Sequence, residues 1–194
     1  MLVILMHLWG NIRIWFIGLA ILWTLLLSFL LSSNLQGHHD SVMTFAKSEA
    51  DVLIQHIKAA RSWNARHGGL YVEANESSPP NPYLQGLVKE QNIVTPEGRK
   101  LTLVNPAYMT RQVHELGNES YGVRGHITSL NPIRPQNAPD LWEIDALNLF
   151  QQGVQEVISE EVIEDKPYLR FMRQMITERQ CLKCHEKQGY KEGD

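Results

Sequence analysis

The only two cysteines of the chain fall in one pentapeptide, Cys181-Leu182-Lys183-Cys184-His185. Two thiols three positions apart can each form a thioether with one vinyl group of a haem, and the histidine directly after them can bind the iron from the proximal face. The expected chemistry is therefore one covalent c-type haem per chain, with Cys181 and Cys184 as anchors and His185 as proximal ligand. A structural zinc site is the weaker reading, because it usually takes four ligands and no second cysteine pair exists. A thioredoxin-like redox pair would sit between a strand and a helix, whereas this pair follows Glu178-Arg179-Gln180 near the end of the chain.

The group on the opposite face of the iron decides the chemistry. A second strong ligand gives an electron-transfer or redox-sensing centre, and an open face admits a gas such as nitric oxide. The candidates are His56, His67, His114, His126 and Met109, although a lone histidine is more often a surface or core residue than a ligand. His67 stands beside Gly68-Gly69, where backbone can approach a flat cofactor. His114 falls on a short expected helix, and these two rank level. Met109 shares that helix, with core packing as its commoner role. His38 and His39 stand too near the apolar N-terminal run. Arg170 and Arg173 could pair with haem propionates or simply face solvent on a strand.

These residues need a compartment and a scaffold. Ile14 to Leu31 is an uncharged apolar run just long enough to cross a bilayer as a helix. Arg13 precedes it, and the next Lys or Arg residues are Lys47 and Lys58, which favours a short cytoplasmic N-terminus (1–13), a membrane signal anchor (14–31) and an exported body (40–194). A cleaved signal peptide ending near Ser32-Ser33 is the alternative. Export agrees with haem attachment outside the bacterial cytoplasm, so the expected location is the inner membrane, single-pass, with the body in the periplasm or outside. The net charge of −3 and the lack of a basic cluster speak against nucleic acid as a partner. No nucleophile and base at a catalytic spacing stand out, so no catalytic residue is assigned.

From Ser41 to Trp63, residues Val42, Phe45, Val52, Ala59 and Trp63 recur at helical spacing with His56 in the same stripe. Such a helix could carry movement to the bilayer, its apolar face could form half of a homodimer seam, or it could simply pack on the core. Gly68-Gly69 should stop it. Further on, the sequence suggests a strand from Leu70, a loop from Asn75 to Pro82 and a strand over Leu101 to Val104. A helix from Pro106 to Leu116 closed by Gly117 follows, then a strand from Tyr121 to Ser129 and a loop from Asn131 to Asp140. Asp140 should cap a helix over Leu141 to Phe150, with Trp142, Ala146, Leu149 and Phe150 on one face. A hairpin of Val157–Glu164 and Tyr168–Ile176 about Asp165-Lys166-Pro167 leads into the cysteine motif. Irregular alternation of helices with short-turned strands favours an α+β domain with an antiparallel sheet.

Several stretches together resemble a known family, the Tll0287-like or DUF3365 haem-binding domain. They are Trp63 to Tyr71, Pro80 to Leu84, Leu101 to Gln112, His126 to Asp140 and Cys181 to Tyr190. The resemblance implies a PAS-like extracytoplasmic domain, commonly the input module of membrane histidine kinases, diguanylate cyclases or chemotaxis-type receptors, and hence a redox or gas sensor with a signalling protein partner. A membrane-tethered electron carrier with a redox partner is the alternative. Relatives of that type usually continue into another strand, a second membrane helix and an output domain, so a sheet lacking its last strand is the expectation for this chain.

Overall fold

The computed structural model describes residues 2–121 and 123–194, and side chains from Ile12 onward other than that of Tyr121. Met1, in the expected N-terminal segment, and Gly122, in the expected strand from Tyr121, lie outside the described residues. The chain divides into two compact units, Met1–Glu49 and Ala50–Asp194. Helix α1 is assigned over Leu2–Arg66. Its part in the first unit is apolar and exposed side chain by side chain, from Ile14 through Leu31, and it is long and apolar enough to cross a membrane.

In the second unit, α1 turns an unexpected face to the domain. The stripe anticipated from apolar spacing is exposed, with Val52 at 50% and Trp63 at 52%. The sheltered positions are instead Ala50, Ile54, Ile57, Arg61 and Asn64, also at helical spacing. Asn64 is fully buried and donates from Nδ2 to the Val104 carbonyl at 3.2 Å. Hydrophobic periodicity misses this face because polar groups make its key contacts. The helix ends where expected: Gly69 N–H bonds the Asn64 carbonyl at 3.0 Å, and Gly68 and Gly69 have φ of +79° and +100°. A Cβ on Gly69 would also meet Leu103 Cδ1 at 2.5 Å.

A three-stranded antiparallel sheet follows in the order β1 (Leu70–Glu73), β3 (Lys100–Val104), β2 (Asn92–Val94). The central strand carries Thr102, Leu103 and Val104, all buried. Strand β2 has too few residues to show alternation and escapes sequence reading; the turn at Gly98, φ +85°, folds it back on β3.

Helix α2 (Pro106–Tyr121) starts as expected, with Asn105 Oδ1 accepting from Tyr108 N–H at 2.9 Å and Pro106 in its first turn. It does not stop at Gly117. That glycine lies outside the left-handed region and has no close neighbour, so it merely weakens the helix interior by about 1 kcal/mol. The strand expected over Tyr121 to Ser129 is likewise corrected: Tyr121 ends α2 and 123–129 joins no ladder. Side chains tether this segment instead. Arg124 pairs with Glu164 at 2.6 Å, His126 with Glu143 at 2.7 Å, and Thr128 Oγ1 donates to the Asn137 carbonyl at 2.9 Å.

Helix α3 (Leu141–Gln151) has the expected Asp140 cap as a full capping box: Glu143 N–H donates to Asp140 Oδ1 at 2.8 Å and Asp140 N–H to Glu143 Oε2 at 2.9 Å. Strands β4 (Glu156–Ile163) and β5 (Lys166–Arg173) form a separate antiparallel pair. Their turn is Glu164-Asp165, both at positive φ, which puts Lys166 and Pro167 in β5 rather than in the turn. Pro167 is tolerated because a two-stranded sheet leaves each strand an open edge. Strand β5 ends at Arg173, short of the expected Ile176. The chain is thus a mixed helix and sheet protein with antiparallel pairing divided between two sheets.

Candidate functional site

The pentapeptide is wound into a continuous right-handed screw. A 3₁₀ turn over Arg179–Cys181 runs into the short helix α4 (Leu182–His185) and a second 3₁₀ turn over Glu186–Gln188, closed by Gly189 at φ +90°. Cys181 and Cys184, three apart on this screw, share a face. Both are unpaired, half-buried thiols. Burial pushes the Cys184 thiol above its ordinary pKa; Lys183 opposes this and the neighbouring Cys181 adds to it.

His185 is held by a partner that sequence reading passed over. Its Nδ1 lies 2.6 Å from Gln188 Oε1, and Gln188 Nε2 donates to the Asn131 carbonyl at 2.8 Å. With Gln188 oriented by that second bond, its oxygen accepts a hydrogen bond from Nδ1–H, which leaves the Nε2 lone pair of His185 free to bind a metal. The edge of the Tyr190 ring meets the imidazole at 5.6 Å and 80°, and Lys187 Nζ donates to the Gly86 carbonyl at 3.1 Å. The signal for Gln188 was its place three residues after His185 in a helical stretch; Asn131 and Gly86 carry none, since tertiary contact alone brings them there. Leu130, half exposed beside Asn131, offers apolar surface at this anchoring point. These features fit a haem: thiols on one face and an oriented imidazole with a free nitrogen.

The histidine candidates for the opposite face separate by what their nitrogens already do. His126 is committed on both, to Glu143 Oε1 at 2.7 Å and the Gln136 carbonyl at 3.3 Å, and the bond to Glu143 raises its pKa against the effect of burial. His67 bonds the Trp63 carbonyl through Nδ1 at 2.8 Å and lies against the Trp63 ring at 4.4 Å, exposed in the turn just after α1. His56 is exposed on α1. Met109 Sδ accepts from Asn64 Nδ2 at 3.6 Å, a packing role. His114 is half-buried on α2, its ring lying flat against Gly125, where a Cβ would come within 2.5 to 2.6 Å of three ring atoms. Burial holds its imidazole below the ordinary pKa against a hydrogen bond with the Gly125 backbone that raises it, and the charges of Arg61 and His126 add to the lowering, so it is neutral and retains a lone pair at pH 7.

Arg61 bonds α2, the helix that carries this histidine. Its guanidinium donates to the Pro106 carbonyl at 3.2 Å and Thr110 Oγ1 at 3.1 Å and feels both Cys181 and His114 electrostatically. Arg170 and Arg173, the candidates for propionate contacts, are engaged elsewhere. Arg170 bonds Asp140 at 2.7 Å and lies over the Trp142 ring at 4.2 Å; Arg173 bridges Asp51 and Glu156. No cluster of three or more His, Cys, Asp or Glu residues able to hold a bare metal ion occurs among the described residues.

The model of the Tll0287-like family, described as Tll0287, matches residues 39–193, and the chain belongs to that family of haem-binding domains. No curated protein and no solved structure matches the chain.

Proposed function

We propose that this chain is a membrane-anchored, extracytoplasmic c-type haem protein that acts as a redox or gas sensor, a PAS-like input domain without enzymatic activity. The observation carrying this reading is the helical turn that sets Cys181 and Cys184 on one face while Gln188 orients the adjoining His185. Cys181 and Cys184 would hold one haem covalently and His185 would ligate its iron; the group, when bound, supplies a one-electron or gas-binding centre. His114 has a better claim than His67 to the opposite face, being neutral and sheltered.

The chain's own part in sensing is mechanical. A movement of His185 would pull on Gln188 and through it on Asn131. Arg61 puts α1 within electrostatic reach of the same motif, and Arg173 ties β5 to Asp51 on α1. Two states of the site signal only if they bias two arrangements of these contacts by different free energies. The lipid bilayer is the partner of the apolar part of α1. A homodimer seam along 41–63 belongs to the same proposal, since Val42, Phe45, Val52 and Trp63 are all at least 50% exposed, and a signalling protein would receive the output.

Tethered electron transfer is the second reading, favoured by the half-exposure of Cys181, Cys184 and His185, which would leave a haem edge near solvent. Hydrogen exchange of the full chain in lipid nanodiscs, oxidised, reduced and with nitric oxide, separates the two. Sensing requires altered protection around 126–137 and 50–66; protection unchanged among all three forms, with rapid exchange to a cytochrome or quinol partner, supports the carrier and refutes the sensor. Intact mass spectrometry of exported chain tests the premise, which fails if the mass of one haem is missing and Cys181→Ser/Cys184→Ser changes nothing.

A further inference from the structure

Between α2 and the irregular segment after it lies a cavity of about 260 Å³ whose walls carry more cationic than anionic side chains. Arg111, His114 and Glu115 come from α2, and Arg124, His126 and Arg134 from the other wall. Three guanidiniums thus face one carboxylate. Their existing contacts leave donors unspent. Arg134 donates to the neutral Asn137 Oδ1 at 2.9 Å; Arg111 lies over the Tyr108 ring at 4.4 Å and only 4.0 Å from Glu115; Arg124 is the one firmly paired, to Glu164 at 2.6 Å. A guanidinium presents five N–H donors in a planar fork that matches a carboxylate, and Arg111 on α2 and Arg134 on the segment after it both line the cavity.

We propose that this cavity is a carboxylate-binding site, gripped by Arg111 and Arg134. Its volume falls just below the range for ligand pockets, roughly 300 to 1,000 Å³, which suits only a short dicarboxylate or one acidic arm of a larger molecule. Two sources share that chemistry: a free dicarboxylate, and a propionate of a haem anchored at Cys181 and Cys184. The second rests on the haem reading above; His114, on the cavity wall, and Cys181 both lie within electrostatic reach of Arg61. The first stands without it.

The test is titration of the full chain in nanodiscs with succinate, followed by calorimetry, in the haem-loaded form and in the haem-free Cys181→Ser/Cys184→Ser variant. Saturable binding to the loaded chain, weakened at least tenfold by Arg134→Gln and by Arg111→Gln, assigns the site to a free carboxylate. Binding confined to the haem-free chain, with the same arginine dependence, assigns it to a propionate, and Arg134→Gln should then change the pH dependence of the reduction potential of the loaded chain. Arg134→Lys keeps the charge without the fork and should bind at an intermediate level, which guards against reading a misfolded variant as a lost contact. No saturable binding in either form, or binding indifferent to both arginines, overturns the proposal. A chain that carries no haem at all removes only the propionate arm.

Discussion

Gly125→Ala offers a direct probe of how His114 is held. An added Cβ would lie 2.5 Å from Cδ2 and 2.6 Å from both Cε1 and Cγ of the His114 ring. Because the three distances are nearly equal, the methyl would sit over the face of the imidazole, and spinning the ring in its own plane would not clear it. Restoring an ordinary carbon contact of about 3.5 Å requires the ring to back away by about 1 Å. The backbone adds no penalty, since Gly125 is not in the left-handed region. The cost is therefore that of overpacking, about 1 to 3 kcal/mol. Chemical denaturation of the full chain should show that loss, and a cycle with His114→Ala should recover at least about 1 kcal/mol of it in the double variant, because the two sites touch. A loss under about 0.5 kcal/mol for Gly125→Ala, or simple addition of the two single effects, would refute the stacked placement of His114.

Asp140→Ala removes the cap of α3 and its bond to Arg170, and should lower thermal stability by about 1 to 2 kcal/mol; Asp140→Asn, which can still accept from Glu143 N–H, should lose less in the same melt. Two histidines should pull stability in opposite directions with pH. The bond to Glu143 raises the pKa of His126, so its contribution is complete below the ordinary value of about 6.5 and disappears as pH climbs through the raised one. Burial lowers that of His114, so the fold weakens as pH falls and the unfolded chain takes up the proton first. Denaturation midpoints from pH 5 to 8 should accordingly show acid-side stabilisation lost in His126→Gln and gained in His114→Gln; parallel curves for wild type and both variants would contradict this. Thr102→Val should be neutral or stabilising by up to about 1 kcal/mol, because the Thr102 hydroxyl is fully buried with no hydrogen-bond partner; a loss above about 1 kcal/mol on denaturation would mean the hydroxyl is satisfied.

The parts of the fold legible in the sequence were those set by local chemistry. The double-glycine stop of α1, the Asp140 cap and the central strand β3 each follow from a few adjacent residues, and the structure has them. Errors came where distant contacts decide. Gly117 resembles a helix stop, but no following contact rewards a left-handed turn there, and α2 continues. The segment after Tyr121 has strand-like composition, yet its side chains find partners in Glu164, Glu143 and Asn137 before its backbone finds a neighbouring strand. On α1 the apolar stripe does not pack on the core, because Arg61 and Asn64, not Val52 and Trp63, meet the domain. The site shows the same division: covalent anchoring demands a fixed cysteine spacing that any reader can see, whereas orienting His185 takes a glutamine and a carbonyl separated by 57 residues.

That division bears on how the histidines are weighed. In sequence, His67 and His114 are equal claimants on the iron, and a glycine pair beside His67 even suggests room for a flat ring. Position alone does not make a ligand; a nitrogen with a lone pair, sheltered from water and from competing protons, does. His126 spends both nitrogens, and its bond to Glu143 favours the charged form, which cannot ligate. His67 sits on the exposed Trp63 ring, where nothing disfavours hydration. In His114, burial and cationic neighbours disfavour the proton and together outweigh the hydrogen bond with the Gly125 backbone that favours it. The same neighbours would stabilise negative charge brought close to it, whether a reduced centre or a carboxylate in the adjoining cavity. Burial is the larger cause of that neutrality, with Arg61 and His126 adding to it, and because His114 and His126 both line the cavity, a carboxylate bound there should be felt at His114.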